Sequence, residues 1–144
     1  MRVLSAFHRV RRLGAPLVAI VALSAAIAWA TDLVFLAEAE NPGNGKTYKA
    51  YLDRSTIHME GKYKTAKLVS VYAEPIRAAG FDGVKSMVNT YQLDCTRRVK
   101  RVTYIAFLDA DGRVIVDEKY ADAEDEPLAE GTVDMKIVPY LCGN

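Results

Sequence analysis

The chain has 144 residues and carries 19 basic and 18 acidic side chains, a formal net charge of +1. That length corresponds to one domain, and the near-neutral charge excludes the strong positive field that draws a protein onto nucleic acid. Hydrophobic residues make up 51% of the chain, which excludes a disordered protein. A mean hydropathy of 0.00 excludes a protein that crosses a membrane many times.

The first thirty residues have the three-part composition of a secretory signal peptide. Four arginines precede an uncharged, mostly apolar run over residues 13–28, and Ala28 and Ala30 are the small residues that signal peptidase reads. We therefore predict a signal peptide at residues 1–30, with cleavage before Thr31; an uncleaved membrane anchor is the alternative. The mature chain would have a net charge of −3 and would not be embedded in a membrane.

Short alternating runs separated by turn residues predict that the mature chain is mostly β. Residues 41–45, Gly61 and residues 109–112 are typical turns, Pro75 is expected to end a strand, and residues 76–85 are predicted to form a loop or short helical piece. The predicted strands cover residues 33–37, 47–53, 63–73, 86–95, 97–108 and 113–120.

The C-terminal segment has the apolar spacing of a short helix. Thr132 can cap it, Val133, Ile137 and Leu141 supply its apolar side, and Pro139 is expected to shorten or kink it. A single sheet buries only one face unless a second layer packs on it. The sequence therefore predicts an α+β, mostly β domain: one antiparallel sheet of about five or six strands with a C-terminal helix across it. We place this domain at residues 47–144, after an N-terminal segment or linker at residues 31–46.

The two cysteines, Cys95 and Cys142, are expected to pair because an exported protein meets an oxidising environment. Two free thiols or a metal site are the alternatives. A metal site needs more ligands than two distant cysteines and His58 provide. The bond would staple the C-terminal helix to the sheet.

Several segments in order resemble one family. They are YLDRSTI at residues 51–57, Gly61, YQLDC at residues 91–95 with basic residues beyond it, a GTV segment at residues 131–133, and Cys142. Across roughly residues 47–142 the chain resembles the surface-adhesin protein E family of bacterial exported proteins. The resemblance implies a single antiparallel sheet with a C-terminal helix, a bond between the two cysteines, and an exported protein without known catalysis. We expect no cofactor.

The best-known members of that family bind host matrix proteins at the bacterial surface and are lipid-anchored. This sequence has no cysteine near the predicted cleavage site that could carry a lipid. Our leading hypothesis is an exported, non-enzymatic envelope protein that binds another protein, either a host matrix protein or an envelope component. The alternative is a periplasmic structural or accessory protein with no host ligand. The resemblance also leaves a homodimer open.

One concentrated basic patch, formed by Arg97, Arg98, Lys100 and Arg101, is a candidate ligand-binding site. On a strand, Arg97 and Arg101 would point to one face and the other two residues to the opposite face. A heparin-like or acidic protein ligand would suit these side chains. The alternative is a structural role, in which they protect a sheet edge or neutralise nearby carboxylates.

Other chemically suggestive residues have simpler interpretations. Asp53, Ser55 and His58 lack the surrounding motif of a nucleophilic site, so we expect a strand end and a turn, with no catalytic residue. The acidic residues from 122 to 126 could hold a hard cation weakly, but a solvated loop is the expectation, with no metal site. Tyr51 and Tyr63 are the tyrosines with most freedom to contact a ligand.

Overall fold

The computed structural model describes residues 32–143; the predicted signal peptide and its cleavage site lie outside them. The described chain forms seven strands and one helix, and within it no helix is both long and apolar enough to span a bilayer. The elements are β1 (Leu33–Asn41), β2 (Lys46–Glu60), β3 (Tyr63–Ala78), β4 (Phe81–Asp94), β5 (Val99–Leu108), β6 (Val114–Lys119), β7 (Glu126–Pro127) and α1 (Val133–Cys142).

The strands form one antiparallel sheet in the order β1-β2-β3-β4-β5-β6, and the short β7 pairs with the start of β5. Each of the first six strands lies beside its sequence neighbour, as tight turns between consecutive strands allow. The predicted fold class is confirmed. β1 and β2 are longer than predicted, and β1 is the outer strand at one edge of the sheet.

The segment at residues 76–85 was predicted to be a loop or short helix, and this prediction is wrong. Ala78 pairs with Phe81, so only Ala79 and Gly80 make the turn between β3 and β4. Both residues have positive φ, 50° and 86°, as a two-residue hairpin turn requires. Alanine rarely adopts that conformation, so the sequence gives no hairpin signal at this position.

β3 continues past Pro75, although we predicted that this proline would end it. Four consecutive residues, 72–75, lie opposite Lys85 alone, because the register shifts on this stretch of β3. A bulge takes backbone N–H groups out of the ladder, so the donor that proline lacks is not needed there. The Lys85 ammonium donates to the carbonyl oxygen of Ala73 inside the bulge.

The C-terminal helix also differs in detail from its prediction. Thr132 occupies the N-cap position, but its hydroxyl donates to the carbonyl oxygen of Ala129 at 2.7 Å and caps no helix N–H. Pro139 does not end the helix, which continues to Cys142. Proline removes a single backbone donor, and the buried Leu141 together with the disulfide holds the last turn.

One face of the sheet packs against α1 and contains the main core. Leu52 and Leu68 are cross-strand partners on this face, with Leu93 nearby on β4. The helix contributes Ile137 and Leu141, which are 2% and 3% exposed. Burying such side chains is worth roughly 1.5–3 kcal/mol each. This layer is what fixes the helix on β1, β2 and β3.

A disulfide joins the end of β4 to the last turn of α1. Cys95 and Cys142 are bonded, with their Cα atoms 5.6 Å apart. The bond closes a loop of 47 positions, for which the chain-entropy model gives roughly 4 kcal/mol of stabilisation. Because the helix is only ten residues long and buries just Ile137 and Leu141, the bond supplies a large share of what keeps it on the sheet.

Replacing Cys95 by Ala should therefore lower the free energy of unfolding by about 2–5 kcal/mol. The measurement is urea denaturation under oxidising conditions, with the Cys95→Ala/Cys142→Ala double variant as a control for the free thiol. Both variants should match the wild-type protein measured with a reducing agent. An unchanged midpoint in the single variant would contradict this role.

Candidate functional site

The face of the sheet opposite α1 carries a row of apolar side chains that crosses five strands. Phe35, Tyr51, Val69, Val88 and Ala106 follow one another as direct cross-strand partners from β1 to β5. Directly paired residues point to the same side of a sheet. The sequence neighbours of the first three, Leu36, Leu52 and Leu68, belong to the core beneath α1, so this row lies on the other side. We call this side the open face.

The row is buried at one end and exposed at the other. Val88 and Ala106 are 3% and 2% exposed and form a second small core with Val69. At the β1 end, Phe35 is 53% exposed and packs edge-to-face against Tyr51, with 5.7 Å between ring centroids. Leu33, also on β1, is 43% exposed. Exposed aromatic and aliphatic side chains on a rigid strand are typical of a surface that contacts another protein.

A depression of about 350 Å³ lies next to the exposed end of this row. Tyr51 and Val71 line it together with Lys49 of β2 and Lys85 of β4, and Glu38 of β1 lines it as well. Of this group, only Tyr51 is a candidate that the sequence indicates. The alternation of residues 33–37 predicts only that they form a strand. The five side chains lie far apart in the sequence, and the pairing of their strands brings them together.

At the far end of the open face, a polar network replaces apolar contact. Tyr63 is 8% exposed, and its hydroxyl donates to Asp125 at 2.9 Å. The Arg97 guanidinium donates to the same carboxylate at 2.7 Å. These two hydrogen bonds hold the pKa of Asp125 below its usual range, and the bond from Tyr63 has the larger effect. Tyr63 is therefore not available for a ligand, and our prediction that it is one of the freer tyrosines is wrong.

The four residues of the predicted basic patch are separated by the structure. Arg97 and Arg98 lie in the turn between β4 and β5, so the strand alternation predicted for them is wrong. Arg98 has φ of 55° and lies 3.9 Å from Glu130. Arg101 donates to Gln92 at 2.6 Å and stacks over the ring of Tyr63. Each of these cations thus has a partner within the domain.

Lys100 contacts the start of α1. Its ammonium lies 2.7 Å from the carboxylate of Asp134, and both side chains are mostly shielded, at 16% and 13% exposed. Burial and this same carboxylate raise the pKa of Tyr91. The Tyr91 ring lies beneath Lys100, with 5.4 Å between the ammonium nitrogen and the ring centroid. This cluster joins β4, β5 and α1, so a ligand of Lys100 would have to displace a structural ion pair. The ligand-binding role of the patch stays a prediction.

The remaining residues weighed in the sequence have local partners. The Ser55 hydroxyl donates to Asp53 at 2.5 Å, while the imidazole of His58 contacts the carbonyl oxygen of Thr56 at 2.8 Å. Asp53, Ser55 and His58 all lie within β2, where the register shifts between Asp53 and His58, so the strand end and turn that we predicted for them are wrong. Within residues 32–143, no three His, Cys, Asp or Glu side chains form a group that could hold a metal ion.

The family described as surface-adhesin protein E matches residues 38–143, about three quarters of the chain. The chain belongs to this family. No curated protein and no solved structure matches the chain significantly. Membership in this family suggests a surface adhesin, a class of protein that is typically non-enzymatic, and the disulfide fits an exported protein. For this adhesin domain, the open face and the basic residues are the two surfaces to test.

Replacing Lys100 of the adhesin domain by Ala should lower the free energy of unfolding by about 3 kcal/mol, because Asp134 then remains shielded without its partner. The matched control is Arg98→Ala, which removes an exposed cation 3.9 Å from Glu130 and should change stability by less than about 0.5 kcal/mol. Thermal and urea unfolding measure both. Equal effects would contradict the structural role of Lys100.

The carboxyl group of Asp125 should titrate below its ordinary pKa in the folded protein, and Tyr63→Phe should raise that pKa. A pKa lowered by folding means that the contribution to stability is present at neutral pH and lost as pH falls through the folded pKa. Carbon-detected NMR titration of the side-chain carboxyl measures the midpoint. The same midpoint in the wild-type protein and in Tyr63→Phe would show that this bond does not set it.

Proposed function

We propose that the protein is exported, remains in the cell envelope and acts there by binding another protein, with host matrix proteins as the intended ligands. The observation that carries this proposal is the exposed aromatic end of the open face in a member of a surface-adhesin family. The helix already covers the opposite face. The open face is therefore the sheet face left to a partner.

The chemistry of this surface suits protein recognition. Binding energy in protein interfaces concentrates in a few aromatic and apolar side chains surrounded by polar ones. Phe35 and Leu33 provide such anchors, Tyr51 packs beside them, and Lys49 and Glu38 border them. Because these side chains project from paired strands held by the core, they lose little freedom when a partner binds.

Two other modes of action use the same features. A second copy of the chain could cover the open face and make a homodimer, and a periplasmic envelope component could take the place of a host ligand. The disulfide suits each of these environments equally. Location and oligomeric state separate these alternatives from adhesion.

Protease shaving of intact expressing cells tests the location. We expect the domain to be removed while periplasmic marker proteins persist. If the domain survives until the outer membrane is opened, adhesion to host proteins is refuted and the periplasmic role replaces it. Mass analysis of the surviving fragments also gives the first residue of the mature chain, which we expect to be Thr31.

Binding of expressing cells to surfaces coated with matrix proteins tests the open face. Phe35→Ser should weaken attachment about thirtyfold, which corresponds to losing one anchor of roughly 2 kcal/mol. Tyr140→Ser is the matched control, because Tyr140 lies on α1 and is 43% exposed. It should leave attachment unchanged. Equal loss in both variants, or none in Phe35→Ser, would contradict a contact through the open face.

A further inference from the structure

The depression beside Phe35 has two ammonium groups without carboxylate partners. Lys49 and Lys85 line it, and none of the ion pairs found within residues 32–143 includes either lysine. The Lys85 ammonium donates one hydrogen bond to the carbonyl oxygen of Ala73, which leaves its charge uncompensated. The basic residues near β5 differ, because carboxylates or Gln92 already engage them.

The two lysines share the depression with an apolar floor that includes Val71. Lys49 pairs across the sheet with Val71, and Val71 pairs with Ser86, the residue after Lys85. Two strand spacings, about 10 Å, therefore separate the backbones that carry the two ammonium groups. Tyr51 completes the floor. A ligand that fits must present negative charge at two points and apolar surface between them.

Glu38 sets a further condition on the ligand. It is the direct cross-strand partner of Lys49 and also lines the depression. One carboxylate beside two ammonium groups repels a dense polyanion such as a sulfated glycan chain, but tolerates carboxylates separated by apolar groups. A volume of about 350 Å³ is near the lower end for ligand cavities and suits a few side chains better than a saccharide chain.

We propose that this depression binds an acidic peptide segment of the partner protein. Carboxylates of the segment lie against Lys49 and Lys85, and an apolar or aromatic side chain between them packs on Tyr51 and Val71. Hydrogen bonds between charged groups are stronger than neutral ones, and they also specify which segment binds. This inference rests on the proposed adhesive function and assigns its ligand chemistry.

The test uses isotope-labelled protein purified from expressing cells and a blocked hexapeptide of alternating Glu and Tyr. We expect the peptide to shift the amide NMR signals of Lys49, Tyr51 and Val71, with weaker binding at higher salt. The same peptide with Gln in place of Glu should bind at least tenfold more weakly. Equal binding of the two peptides, or no binding of the acidic one, would overturn the proposal.

Two variants and one competing ligand complete the experiment. Lys49→Gln should weaken binding of the acidic peptide about tenfold, while Lys67→Gln should change it less than twofold. Lys67 is the control because it projects from the same face but does not line the depression. Equal weakening would indicate unspecific attraction. A heparin octasaccharide that binds there when the peptide does not would assign the site to a glycan and overturn the proposal.

The proposal of an acidic peptide ligand and the proposed adhesive function can fail independently of each other. If Phe35→Ser weakens attachment of cells as expected while Lys49→Gln leaves it intact and the peptide does not bind, adhesion through the open face stands and the acidic ligand is wrong. If the domain is not displayed outside the cell, adhesion is wrong, and peptide binding by the purified protein still tests the depression.

Discussion

A single antiparallel sheet has two faces, and the described part of this chain, residues 32–143, has one short helix with which to cover them. The disulfide between Cys95 and Cys142 settles which face is covered, because it holds the end of α1 against the end of β4. Ile137 and Leu141 then bury the residues around Leu52. The opposite face keeps its apolar row in contact with solvent at the β1 end. Its availability for a partner depends on the helix staying on the other face, where the disulfide and the apolar core hold it.

The other end of the helix is held by electrostatics. Lys100 contacts Asp134 from a shielded position, and Tyr91 packs beneath the ammonium group. Arg97 and Tyr63 hold the loop that contains Asp125 in a similar way. Oppositely charged groups that lie this close within the domain already compensate each other in the absence of a ligand. The most basic stretch of the sequence therefore makes contacts within the domain, and its ligand-binding role stays a prediction.

Local patterns in the sequence predicted the sheet, its helix and the disulfide, because alternation and cysteine chemistry depend on nearby residues and compartment. The turn at Ala79 and the strand through Pro75 could not be predicted, since neighbouring strands impose both conformations. The candidate site, too, could be predicted only in part from local sequence patterns. Tyr51 was identified, but Phe35 and Lys85 join it only through the register of four strands. Tyr63 was misjudged because Asp125, 62 positions away, binds its hydroxyl.

The central claim is that partners meet the open face while the helix stays on the other. Hydroxyl-radical footprinting of the protein, free and bound to a matrix-protein surface, tests it directly because both faces carry reactive, exposed aromatic rings. The account predicts that Phe35 and Tyr51 become protected on binding and that Tyr140, on α1, stays as reactive as before. Protection of Tyr140 with unchanged reactivity at Phe35 would contradict it and place the contact on the helix.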